Sequence, residues 1–245
     1  MRNNSIKKNK LVIFDLGNTL IHYHRGHLSD DEKDYLGLLR MSHRLENWKI
    51  KVSVTDLIEG FYKPWIRKTH YRSQKKTEYN ISDFLSPVLP LNEINSRRFN
   101  KLILDFFEPT LRLSEAGEKS LDTLKLLALN DFQLAVLSNS PIPGYCHDKA
   151  LEMHGLLSYI SFSIYSYDIG IRKPSLEIFI QALKKASCNP ANAFMVGDSK
   201  KLDIFPAVDL GINTILYSEK KSSDADASNF KEVGDLILEY FERRV

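Results

Sequence analysis

The stretch Leu11-Val12-Ile13-Phe14-Asp15-Leu16-Gly17-Asn18-Thr19-Leu20 constrains this chain more than any other part of it. Four apolar residues run directly into an aspartate, and a glycine and two turn formers follow. A short, continuously apolar run bounded by turn residues suits a central parallel strand covered on both faces. In open α/β sheets the carboxyl ends of such strands open onto the crevice where ligands bind, which puts Asp15 at the mouth of a site. Taken alone, an acidic residue there also serves as a cap for the next helix. The rest of the chain decides between the two.

The same pattern recurs. Phe132 to Leu137 reads as a second buried strand, ending in Ser138-Asn139-Ser140. A third unit runs from Phe162 to Tyr167 into a loop ending in Gly170-Ile171-Arg172-Lys173-Pro174, and Ser175 is placed to cap a helix with Ile178, Phe179, Ala182 and Leu183 on its apolar face. Ala193 to Val196 is a fourth strand, ending in Gly197-Asp198-Ser199. A brief helix over Asp203 to Leu210 leads to a fifth strand, Ile212 to Tyr217, and Lys231 to Arg244 closes the chain as an amphipathic helix. Strands that alternate with helices imply a parallel, doubly wound sheet.

Residues 21–111 read differently. After a short strand-like piece from Leu20 to His24, Ser29 and Glu32 have the spacing of a capping box, predicting a helix to about Glu46. Helical patterns follow near Thr55, interrupted at Pro64, near Ser82, and near Asn92, where Ile94, Phe99, Leu102, Ile103 and Phe106 recur at helical spacing. Strand signals return only after Pro109, and Ser120 to Asn130 is again helical. The expected organisation is an α/β core made of residues 1–20 and 112–245, with residues 21–111 as an α-helical insert.

Composition removes some partners. The chain has 245 residues and balances 34 Lys and Arg against 31 Asp and Glu, so its net charge of +3 gives no reason to expect nucleic acid or membrane as a partner. Lys63, Arg67, Lys68, His70, Arg72, Lys75 and Lys76 cluster in the insert, either as a solvated face or as an electrostatic rim that draws anionic substrates. The two cysteines, Cys146 and Cys188, are spaced neither as a metal knuckle nor as a redox pair and are expected as free thiols. The basic N-terminus precedes an apolar run too short for a signal core or a membrane span, so a cytoplasmic protein, monomer or homodimer, is the expectation.

The strand ends therefore offer Asp15, Ser138, Lys173, Asp198 and Asp203. Each has an ordinary structural use; gathered at one edge of one sheet, they describe a site. In this respect the sequence resembles the haloacid dehalogenase superfamily, whose Rossmann-like phosphatases carry a nucleophile motif, a Ser or Thr, a Lys and an acidic pair in this order. The matching segments are Phe14 to Thr19, Leu137-Ser138-Asn139, Gly170 to Pro174, and Gly197-Asp198 with Asp203.

The resemblance implies a helical cap after the first motif, where the insert lies. It also implies a Mg²⁺-dependent phosphatase acting on a small phosphorylated metabolite through an aspartyl-phosphate. Asp15 would be the nucleophile, and Asp15, Asp198 and the Gly17 carbonyl would ligate Mg²⁺, with Asp203 reaching it through water or orienting Lys173. The backbone N–H groups of Leu16 and Gly17 would hold the phosphoryl oxygens together with Ser138, Asn139 and Lys173.

One departure matters: the general acid, usually an Asp two residues after the nucleophile, is replaced by Gly17. His22 and His24 are substitute candidates. Two rival readings follow from the missing acid. One is a metal-independent dehalogenase, against which Gly197-Asp198 stands; the other is a catalytically weak binding or regulatory protein that keeps the pocket.

Overall fold

The computed structural model describes residues 9–69, 78–220 and 222–244. His70, Arg72, Lys75 and Lys76 of the basic cluster lie outside the described residues.

The chain begins with β1 (Lys10–Phe14) and the short β2 (Ile21–His22), then enters a helical run: α1 (Asp30–Asn47), α2 (Val54–Asp56), a π-helical turn (Leu57–Tyr62), α3 (Lys63–Thr69), α4 (Ile81–Leu85) and α5 (Ser96–Arg112). It returns through β3 (Glu115–Ala116), α6 (Ser120–Leu129), β4 (Phe132–Ser138), α7 (Gly144–Met153), β5 (Phe162–Tyr165), α8 (Ser166–Ile169) and α9 (Leu176–Ala186). The chain finishes with β6 (Ala193–Gly197), a π turn (Lys200–Ile204), α10 (Phe205–Asp209), β7 (Asn213–Leu216) and α11 (Phe230–Glu242).

Five strands form one parallel sheet in the order β5-β4-β1-β6-β7. The first strand of the chain is central, with the order growing outward on both sides, so the crossover direction reverses at β1. Such a switch point leaves a crevice at the carboxyl ends of the strands.

Strand alternation divides the core. Val12 and Phe14 of β1, Leu134 and Val136 of β4, and Phe194 and Val196 of β6 belong to one buried cluster, which continues into α6, α11 and the helical run. Leu11 and Ile13, Ala135 and Leu137, and Ala193 and Met195 face the other way, onto α9 and Ala207 of α10. Both faces are covered, which is why these strands read as continuous apolar runs rather than alternating ones.

Between β2 and β3, which pair antiparallel as Ile21 with Ala116 and His22 with Glu115, the chain makes only helices and loops among the described residues. The capping box at Ser29 and Glu32 forms and starts α1 one residue later. Pro64 does not interrupt the helical run as expected. Pro64 follows a π turn in which the Lys63 N–H bonds the Ile58 carbonyl, so its missing N–H falls where the hydrogen-bond ladder is already changing register.

Pro109 lies inside α5, which runs on to Arg112. There the roughly 3 kcal/mol cost of an interior proline is offset by burial of Phe106, Phe107 and Leu111, at about 1.5–3 kcal/mol each. Helix α7 has no counterpart among the elements expected from the sequence. Both cysteines are free and buried, and no helix of the described residues is long and apolar enough to cross a membrane.

Candidate active site

Asp15 follows the last residue of β1, tied in place by its own N–H to the Val196 carbonyl at 2.8 Å. The turn after it folds back on itself: the Leu16 carbonyl accepts from the Thr19 and Ile21 N–H groups at 3.3 and 2.8 Å, while the Leu16 side chain is buried in the core. Asn18 takes a left-handed backbone (φ 59°), which asparagine tolerates better than most residues, and its side chain reaches Asp198.

Lys173 arrives from the loop between α8 and α9. Gly170, at φ 72°, turns that loop, and the Asn139 side chain clamps it by accepting from the Lys173 N–H at 2.8 Å and donating to the Lys173 carbonyl at 2.9 Å. Asn139 thus spends its amide on positioning the lysine rather than on offering it to a ligand. The Lys173 ammonium is buried and donates to Asp15 Oδ1 at 2.5 Å, Asp203 Oδ1 at 2.6 Å and the Leu137 carbonyl at 2.9 Å.

Asp203 is held by the π turn after β6. Its second carboxylate oxygen accepts the Ser199 N–H at 3.1 Å, and a Cβ on Gly197 would overlap its carboxyl group, so glycine is required there. Both of its oxygens are therefore engaged, which matches the lysine-orienting role better than direct ligation of a metal.

Asp15, Asp198 and Asp203 each offer a carboxylate oxygen, and these atoms all lie within 4.8 Å of one another. An all-oxygen, anionic donor set of this kind suits a hard divalent cation such as Mg²⁺. The electrostatics point the same way. Burial pushes the Asp15 carboxyl up to about 7 against the pull of the Lys173 ammonium, and the charges of Asp203 and Asp198 add to the rise. Asp198, exposed at the rim, is also raised by desolvation and by Asp203, with Asn18 and Lys173 partly offsetting them. Burial works against the charge of Lys173, but its two carboxylate partners outweigh it and hold the amine protonated.

These groups line a cavity of about 500 Å³ together with Gly17, Ser138, Asn139, Arg172 and, from the helical run, Thr69. Ser138 closes β4 and is almost wholly buried. The structure brings together Asp15, Gly17, Ser138, Asn139, Lys173, Asp198 and Asp203.

It does not bring His22 and His24 to that cavity. His22 is buried against Glu219 at 2.8 Å, and burial lowers its pKa in spite of that partner; His24 is exposed and pairs with Asp30 at 2.7 Å. Both line a neighbouring cavity of about 410 Å³ that shares only Asn18 and Asp198 with the first. His27 joins no metal-capable group among the described residues.

Sequence reasoning gave no role to Arg172, Asn18 or Thr69. Arg172 was visible as a second cation beside Lys173. The placement of Asn18 depends on a turn geometry, and that of Thr69 on helix packing.

The match to known proteins is consistent with this arrangement. Residues 9–211 match the model of the haloacid dehalogenase-like hydrolase family. The glyceraldehyde 3-phosphate phosphatase of Pyrococcus furiosus is 27% identical over 117 residues, and the matched stretch spans about half of each chain (47% of both).

Among solved structures, the fold is similar to a 2-haloacid dehalogenase from Pseudomonas syringae pv. Tomato DC3000, with a TM-score of 0.60 at 24% identity, covering 95% of this chain and 99% of that one. It is also similar to a HAD phosphatase from Thermococcus onnurineus, with a TM-score of 0.61 at 18% identity, covering 93% and 97%. At these identities the two structures speak for the fold alone, and the family match over most of the chain carries the assignment. With an aspartate at the switch point of its parallel sheet and residues 9–211 matching the family model, this chain belongs to the haloacid dehalogenase-like hydrolases.

Proposed function

We propose that this protein is a Mg²⁺-dependent phosphatase acting on a small phosphorylated metabolite, with the helices between β2 and β3 serving as a cap over the core. The observation that carries this reading is the Lys173 ammonium bridging Asp15 and Asp203 while a carboxylate oxygen of Asp198 lies within 4.8 Å of theirs, close enough to share one cation. A carboxylate attacks phosphorus only if the repulsion between two anions is offset, and this arrangement supplies the offset.

Asp15, Asp198 and the Gly17 carbonyl would hold the metal. When bound, it supplies positive charge beside the phosphoryl group and keeps Asp15 ionised. An Asp15 oxygen forms a bond to phosphorus as the bond from phosphorus to the leaving oxygen breaks, giving an aspartyl-phosphate and an alkoxide or phenoxide. Water then attacks phosphorus, and the Asp15 carboxylate leaves as phosphate departs.

Lys173 neutralises charge on the transferring oxygens while Ser138 and the N–H groups after Asp15 hold them. Asp203 and Asn139 keep the lysine aimed. No side chain at position 17 protonates the leaving oxygen, so the first step favours substrates whose leaving group is stable as an anion.

Release of phosphate from a panel of phosphate monoesters, with Mg²⁺ and with EDTA, tests the reading, using Asp15→Asn as the blank. Metal-dependent turnover absent from the variant is expected. Carbon–halogen hydrolysis that survives EDTA would establish the dehalogenase reading instead, and absence of any turnover would leave the chain a binding protein.

A further inference from the structure

Helix α7 of the core meets the helical run and its two linkers through side chains along its length. The Tyr145 hydroxyl donates to the Asn100 carbonyl of α5 at 3.3 Å. Nε2 of His154, which caps the helix, lies 3.0 Å from the hydroxyl of Ser114, on the returning linker before β3. Nδ1 of His147 lies 2.9 Å from the hydroxyl of Tyr23, on the outgoing linker just after β2.

The His147 contact continues into the core. Its Nε2 lies 2.5 Å from the Ser140 hydroxyl, and both residues are buried. Ser140 closes the turn that follows Ser138 and Asn139: its Oγ accepts from the Ile142 N–H and donates to the Ile142 carbonyl, each at 3.1 Å. The residue before it, Asn139, is the one that clamps Lys173.

Tyr23 is gripped from both sides. Its ring meets that of His147 edge-on, with centroids 5.7 Å apart, and its carbonyl accepts from the buried Lys33 ammonium of α1 at 3.0 Å. Burial pushes the Tyr23 phenol well above its ordinary range, so it keeps its proton. A neutral imidazole has one donor and one acceptor nitrogen, so the role taken at Nδ1 decides the role left at Nε2. A hydrogen-bonded chain thus runs from α1 through Tyr23 and His147 to the turn that sets Lys173, and its members polarise one another.

We propose that His147 is a positioning residue that couples seating of the outgoing linker to anion affinity in the cavity beside Asp15. With Tyr23 docked on the ring, the Ser138-Asn139-Ser140 turn is held in its anion-binding form. The proposal rests on the phosphatase reading for the identity of that anion, a phosphoryl group. Coupling between two sites is reciprocal, so phosphate bound in the cavity tightens the linker by the same factor. A contact that merely fastened the linker would add stability and leave anion affinity alone.

Calorimetric titration of the full chain with inorganic phosphate in the presence of Mg²⁺ tests this, using Tyr23→Phe, Ser140→Ala and the double variant, each shown to be folded by its melting curve. Tyr23→Phe deletes one hydroxyl and keeps the ring; it is expected to weaken phosphate binding about fivefold or more. In the Ser140→Ala background the same change costs less than about twofold, because the chain is already broken. His147→Gln, which offers Tyr23 no ring nitrogen, serves as a second broken background. In the reciprocal measurement, phosphate with Mg²⁺ slows hydrogen exchange around Tyr23 in the native protein and not in Ser140→Ala.

Phosphate affinity untouched by Tyr23→Phe, effects that simply multiply in the double variant, or no phosphate binding by the native protein overturns the proposal. Hydrolysis of p-nitrophenyl phosphate stands as a separate measurement. Coupled binding without hydrolysis would overturn the phosphatase reading and leave the coupling in place, and hydrolysis with effects that multiply would do the reverse.

Discussion

Gly17 occupies a position where an added Cβ meets nothing within 4 Å and where the backbone is not left-handed. A Cβ is therefore accommodated at position 17 without a clash. Gly17→Asp is expected to accelerate hydrolysis of alkyl phosphates by about 10²-fold or more, the usual worth of a positioned proton donor, with a smaller gain on aryl phosphates. A plot of rate against leaving-group pKa, steep in the native protein and flatter in the variant, would show it.

Asp15 supports a second prediction. Its carboxyl titrates near 3.8 when unfolded and near 7 in the native chain, so between those values the native state holds a proton that the unfolded state has lost. The metal-free protein is expected to lose stability as pH rises through that window. Mg²⁺ competes with the same proton, so its affinity should fall about tenfold per pH unit below 7 and level off above it, as read by calorimetry across that range. An affinity independent of pH would mean that Asp15 does not ligate.

Helix α1 crosses α5 so closely that a Cβ on Gly37 would overlap the Phe106 carbonyl. Helix propensity alone makes glycine to alanine favourable by about 1 kcal/mol in a helix interior. Here the sign reverses: Gly37→Ala is expected to destabilise by about 1–3 kcal/mol through overpacking, a fall of roughly 2–4 °C in melting temperature per kcal/mol. A variant that melts no lower would contradict the packing.

The same pair of helices is joined by a bidentate ion pair, Arg44 to the buried Asp105 at 2.6 and 3.1 Å. Burial alone would raise the Asp105 carboxyl, but Arg44 and Lys101 overcome it and hold it low. The pair thus contributes stability above the usual carboxylate range and loses it in acid. Arg44→Ala should shift acid unfolding to higher pH, by circular dichroism.

The capping box, the buried strands and the amphipathic faces were legible because each is a local pattern with a local cause. Pro64 misled because a shift in hydrogen-bond register at the preceding π turn, which the local pattern does not show, lets the helix continue. α7 was missed because its short apolar face, Cys146, Ala150 and Leu151, gives little periodic signal.

The topology does the rest of the assembly. Asp15, Ser138, Lys173 and Asp198 come from four segments spread over 184 residue positions (15 to 198), and they meet because parallel strands present their carboxyl ends at one edge. That convergence could be read from the sequence once the strands were placed. The partners of each group could not: Asn139 clamping the lysine, Asn18 on Asp198 and Glu78 beside Arg172 depend on loop conformation and on where the helical run lies.

What the assembled site is for comes down to whether phosphorus bonds to the side chain at position 15. The most direct measurement is an acid quench during turnover of a phosphate monoester with Mg²⁺, followed by borohydride reduction and mass spectrometry of the peptide containing Asp15. Conversion of that residue to homoserine, absent when EDTA is added, is the expected result. Steady turnover with Asp15 unmodified at every quench time, while another side chain carries the phosphoryl group or none does, would contradict the account.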